Sequence, residues 1–118
     1  MTWWKAFGID LLVVLLFATI GRLSHGEAAD PAGIALTAWP FLIALLGLTV
    51  AMIGMKRPTD SLLNGALIWA GTLAFGMWIR HESGGGVEVG FVIVAGAFLA
   101  LGMLGWRLIA GRRRRASA

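Results

Sequence analysis

Residues 33–55 read GIALTAWPFLIALLGLTVAMIGM, with no charged side chain among them. A helix needs about 20 mainly apolar residues to cross about 30 Å of hydrocarbon, and this stretch meets that length. Working outward, three more stretches qualify: 6–23, 62–80 and 88–109. Short polar breaks separate them: SHGEAADPA (24–32), KRPTDS (56–61) and HESGGGV (81–87). Gly and Pro fall in these breaks, as turn chemistry requires. Breaks this short return each helix beside its predecessor. The expected fold is therefore an all-α membrane protein, a four-helix transmembrane bundle of two antiparallel hairpins. Residues 1–111 make one four-span domain and 112–118 a basic tail.

Composition agrees. Of 118 residues, 58% are hydrophobic and only 14% charged, against about 25% charged in soluble domains. Mean hydropathy is +0.83. A soluble domain this short needs a polar skin over a large surface, and the residues for one are missing. A soluble enzyme is excluded. The absence of cysteine removes disulfides, thiolate zinc sites, thioether-linked haem and cysteine nucleophiles.

Orientation follows from Lys and Arg. Lys5, Lys56, Arg57, Arg107 and Arg112–Arg115 fall on one side, and only Arg22 and Arg80 on the other. Both termini are expected in the cytoplasm, in the cell (inner) membrane. Trp3, Trp4 and Trp106 mark the inner interface, Trp39 and Trp78 the outer, and Trp69 lies near mid-depth. The first span is expected to be retained rather than cleaved. Its leading region has one lysine, its apolar run holds Asp10, and a cut after Ala28 lies far from the end of that run.

Helices in lipid associate through close packing of small residues. Ala66, Ala70 and Ala74, Gly47 and Ala51, and Gly96 and Ala100 recur at four-residue spacing. They are expected to pack within the chain, with a homodimer seam as the alternative. Pro40 removes a backbone donor and frees the carbonyl of Leu36, so a kink is expected, with Thr37 supplying a hydroxyl. Leu15, Phe17 and Arg22 recur as Leu73, Phe75 and Arg80, three matches that do not establish a duplication.

An ionisable group inside hydrocarbon must be paired or functional. Asp10 in the first span and Arg107 in the fourth fall at similar depth, with Asn64 of the third comparable. A buried Asp10–Arg107 pair is expected, with Asn64 or a terminal carbonyl completing its hydrogen bonds. The structural reading is that the pair fixes helix order and rotation. The functional reading makes Asp10 a proton or cation carrier, a task poorly suited to a carboxylate already held by a guanidinium. On the outer side Arg22, His25, Glu27, Arg80, His81, Glu82 and Glu88 gather. They are read as interfacial anchors, with an anion or anionic-headgroup rim as the alternative. Gly84–Gly86 is a flexible link, since neither the Lys-Ser/Thr nor the strand of a phosphate loop accompanies it. No metal-ligand spacing, nucleophile–base set or cofactor motif is present. Arg112, Arg113, Arg114 and Arg115 follow a span as a topology signal and a hold on anionic lipid headgroups. Nucleic-acid binding is not expected, because the run has no aromatic platform.

The strings FATIGRLSH (17–25), TAWPF (37–41), Trp69, GMWIR (76–80), FVIVA (91–95) and LGWR (104–107) resemble the domain of unknown function 3054 family. That is a family of small four-span membrane proteins, mainly actinobacterial. The resemblance runs from Asp10 to Arg107. It implies an integral membrane protein and supplies no activity, cofactor or catalytic residue. The expected role is a structural or accessory membrane component without catalysis, partnered by lipids and by a second copy or another membrane protein. The alternative is a small dimeric transporter or channel using Asp10 and the outer Arg/His rim.

Overall fold

The computed structural model describes residues 1–117 of the chain as four α-helices, with no strand among them: α1 (Trp3–Ser24), α2 (Pro31–Gly54), α3 (Leu62–Glu82) and α4 (Val89–Ser117). All four are long and apolar enough to cross a membrane, which makes the chain a multi-pass membrane protein. Two helices open on side-chain caps. Asp30 accepts from the Gly33 amide at 2.8 Å with Pro31 at the first helical position, and Ser61 accepts from the Asn64 amide at 3.2 Å. Such caps satisfy amides that no helical carbonyl reaches.

The first three helices end alike. The amides of Glu27, Arg57 and Gly85 each return to the carbonyl five residues back, on Arg22, Met52 and Arg80. This closure needs a left-handed residue just past the helix. Gly26 (φ 69°) and Gly84 (φ 92°) supply it, and Lys56 does so at φ 55°. α4 differs from expectation, because its helix runs on through Arg112–Arg115. Arginine is a good helix former and no breaker intervenes, so the basic run forms the last turns of α4. Ala118, the end of the expected tail, lies outside the described residues.

Each helix packs on its neighbour in sequence and α4 closes on α1, so the four form a ring. Its core holds Val14, Phe17, Phe41, Leu45, Ile68, Leu99 and Met103. Phe17 meets Phe41 edge-on at 5.7 Å and Phe91 at 5.8 Å, in the range where ring quadrupoles attract. The expected small-residue seams are only partly used. Gly96 is buried, but Gly47, Ala51, Ala70 and Ala74 are exposed. Close approach instead rests on glycines opposite large side chains: Gly71 against Leu48, Gly76 against Phe41 and Gly102 against Val13. Trp69 ties α3 to α4 through its Nε1–H and the carbonyl of Gly96, at 3.0 Å. α2 continues helically through Pro40, and the Thr37 hydroxyl accepts from Arg22.

Between 22% and 39% of each span's apolar stretch is buried, and Leu12, Leu63 and Leu101 point outward. A molecule 47 × 27 × 25 Å across with an apolar skin suits a solvent of acyl chains. Asp60, in the α2–α3 loop, meets both the Met1 amine and the Arg114 guanidinium. Burial pushes its carboxyl up, but the two cations outweigh that and hold it below the ordinary carboxylate range.

A carboxyl lowered on folding stabilises the fold above its unfolded value, near 3.9, and loses that contribution as the pH falls through its folded value. Wild type is therefore expected to exceed Asp60→Asn in detergent thermal stability at pH 7, by no more than about 1 kcal/mol because Arg114 is half exposed. The gap should close on acidification below about pH 4.

Candidate functional site

The most deeply buried charges in the molecule are also its most completely bonded. Asp10 and Arg107 are each 1% exposed. The guanidinium grips the carboxylate with both arms, Nη1 to Oδ1 at 2.8 Å and Nη2 to Oδ2 at 2.7 Å. Its remaining N–H groups find backbone. Nε and Nη2 donate to the carbonyl of Thr59 at 3.0 and 2.8 Å, and Nη1 also donates to that of Met103 at 2.9 Å. Arginine has five N–H donors, and all five have acceptors. Trp106 donates from Nε1 to Asp10 Oδ1 at 2.9 Å, and its ring lies 4.5 Å from the guanidinium carbon. Removing two charges from water costs several kcal/mol each, which only such complete bonding offsets.

Three parts of the chain converge here. α1 brings Asp10, α4 brings Met103, Trp106 and Arg107, and the α2–α3 loop brings Thr59. α3 contributes room, since a side chain at Gly65 would fall on Cδ and Nε of Arg107. Asn64, expected at the pair, bonds to neither partner. Its Nδ2 donates to the carbonyl of Pro58 at 2.8 Å, and Oδ1 is buried without a partner. As the residue just past the start of α3, Asn64 reaches back to the loop and leaves Gly65 facing the arginine. Asn64 thus holds the loop carbonyl next to the one that Arg107 uses.

The opposite end of the ring is open. A cavity of about 790 Å³ lies among the ends of α1 and α3, the start of α2 and the start of α4. Arg22, His25, Glu27, Arg80 and Glu88 line it above an apolar floor that includes Phe17, Pro40 and Phe91. His81 and Glu82 are exposed and do not line it, so the expected outer set loses those two members. Arg22 and Arg80 are held alike, each with Nε donating to the carbonyl six residues on, Ala28 and Gly86. Arg22 also donates to Thr37 Oγ1 at 3.2 Å and lies 3.6 Å from Glu27 Oε2. Arg80 instead lies over the ring of Phe91 at 4.4 Å. His25 Nδ1 sits 2.9 Å from the carbonyl of Gly21. Among the described residues no cluster of three or more His, Asp or Glu could hold a metal ion.

Residues 7–110, most of the chain, match the family described as Protein of unknown function (DUF3054). The chain belongs to this family. No curated protein and no solved structure matches it. Both candidate sites of this DUF3054 chain lie inside the matched region, whereas Arg112–Arg115 lie beyond it. Of the two expected completions a carbonyl takes the place of Asn64, from Thr59 of the loop and Met103 within α4 rather than from a helix end, and residue types give no sign of the indole of Trp106 or the space at Gly65. Trp106 stands next to Arg107, where its place at the inner interface gives no sign of the bond to Asp10. A backbone carbonyl and a missing side chain leave no mark on composition.

Gly65→Ala tests the fit around Arg107. The methyl group displaces a side chain with no spare bonding position, so unfolding in a detergent titration is expected to become easier by about 1–3 kcal/mol. The same change at Gly47, which faces open space, should be neutral or slightly stabilising.

Proposed function

We propose that this chain is a non-catalytic structural or accessory component of a cell membrane. It would span the bilayer as two antiparallel hairpins with both termini in the cytoplasm. The distribution of Lys and Arg favours that orientation, and the meeting of Met1 and Arg114 at Asp60 favours both ends lying on one side. Anionic lipid headgroups would gather at Arg112–Arg115. A second copy or another membrane protein would cover part of the exposed apolar surface.

The observation that carries the structural reading is the bonding at Arg107. A proton carrier needs a carboxylate that water reaches and that can be neutral in part of its cycle. Asp10 accepts from Arg107 and Trp106 in a closed site. It does not line the open cavity. The pair reads as a lock on helix order, with α1 and α4, the first and last elements, drawn together by charge. The transport reading keeps one observation in its favour, the cavity itself, which ends at the aromatic floor of Phe17 and Phe91.

Proteoliposomes separate the two. Vesicles containing the chain are expected to hold an imposed proton, sodium or potassium gradient as long as empty vesicles do. A flux that Asp10→Asn abolishes would replace the structural reading with transport.

A further inference from the structure

The open cavity contains a cation whose charge the fold leaves unanswered. Arg80 is pinned at Nε by the carbonyl of Gly86, at 2.6 Å, and lies over Phe91. Among the described residues no carboxylate lies within ion-pair distance of its guanidinium, and neither terminal nitrogen has a protein acceptor. Arg22, across the cavity, already has Glu27 and Thr37. Glu88 immediately precedes α4, where the unpaired amides of a helix start favour a carboxylate. The planar outer edge of Arg80 is therefore presented with both terminal nitrogens, four N–H donors, free, the geometry that phosphate oxygens match.

The loop is shaped to present it. Residues 84–86 are all glycine, and a side chain at Gly85 would stand 2.6 Å from Cγ of Arg80. Gly84 takes the left-handed conformation that turns the loop back over the guanidinium. An arginine serving only as an interfacial anchor needs none of this, because it extends freely into the headgroup layer.

Size and walls narrow the ligand. A cavity of about 790 Å³ is in the range of organic ligands and far larger than an inorganic ion. Beneath the charges its lining is apolar, and Leu36 and Val94, which line it, are 66% and 60% exposed. The cavity wall thus continues into the outer, lipid-facing skin of the helices. A polar headgroup joined to hydrocarbon fits that continuity, and a wholly soluble solute does not. We propose that this cavity is a binding site for an anionic phospholipid, its phosphate held by Arg80 and one acyl chain lying along Leu36, Trp39 and Val94.

The proposal rests on the membrane reading, and the test keeps the two apart. Native mass spectrometry of the full chain in detergent, offered equal phosphatidylglycerol and phosphatidylcholine of matched chains, reads retained lipid directly. Wild type is expected to keep phosphatidylglycerol in preference. Arg80→Gln should lower that preference about tenfold. Val94→Trp, which fills the apolar half and leaves every charge in place, should also lower it, so the test survives a misfolded Arg80 variant. Arg112→Gln with Arg115→Gln, which removes headgroup contacts at the other end of the bundle, should lower it less than Arg80→Gln does. Equal retention of the two lipids by wild type, or a preference lost only with the basic run, would overturn the proposal. So would displacement of the lipid by millimolar inorganic phosphate, which would assign the site to a soluble phosphate. A chain that stays monodisperse in buffer without detergent would instead overturn the membrane reading beneath it.

Discussion

A guanidinium in hydrocarbon is tolerable only when every N–H has an acceptor, and that requirement at Arg107 organises one end of this molecule. Two acceptors come from Asp10 on α1, one from the helix that carries the arginine, and the last from the α2–α3 loop. No two of these segments suffice, so the arginine is satisfied only once the ring of helices has closed. Dispersion and aromatic contacts along the core are compatible with several rotations of each apolar helix. The bidentate pair is directional and selects one of them. Specificity is the best-attested service of a buried polar group, and here the geometry points the same way.

The two ends of the bundle contrast. Where Arg107 lies, α1 and α4 are clasped and every donor is used. At the other end the same helices part around a cavity, and a second arginine, Arg80, keeps donors free. Both arginines are positioned by backbone carbonyls and by a glycine that makes room, Gly65 for one and Gly85 for the other. What separates them is the counter-charge. Arg107 has a carboxylate within the fold, and Arg80 has only the face of Phe91. Arg22 and Arg80 also share a local design, each ending its helix at a left-handed glycine and reaching the carbonyl six residues on. The hydropathy recurrence of Leu15, Phe17 and Arg22 at Leu73, Phe75 and Arg80 therefore has a conformational counterpart in the two helix ends.

Much of the fold was legible because lipid imposes strong rules. A mainly apolar run of the required length is a span, and short Gly- and Pro-bearing breaks are turns, so the four helices fall within a few residues of expectation except at the end of α4. There charge ends the apolar span but not the helix, which the arginines continue. Asp10 and Arg107 were legible as partners because ionisable residues in hydrocarbon are scarce and these two share a depth. Of the two completions expected there, Asn64 shares the depth but not the direction, because depth does not fix rotation around a helix and Gly65 faces the arginine instead. Small-residue spacing holds only in part, at Gly96, for a related reason. Gly47 and Ala51 lie on one stripe, but which stripe faces a neighbour depends on the large side chains opposite, such as Leu48 against Gly71. The free edge of Arg80 and the hollow beside it arise from how the 83–88 loop folds back, which no period in the sequence encodes.

The central claim is that Asp10 and Arg107 act as one unit. A double-mutant cycle measures this most directly, with unfolding free energies of wild type, Asp10→Asn, Arg107→Gln and the double variant taken in the same detergent. Breaking a buried pair from either side leaves a stranded partner and is expected to cost about 3–5 kcal/mol. The double variant should then be no less stable than the worse single one. Strict additivity of the two single losses would contradict the account, because it would mean that each residue stabilises the bundle independently of the other.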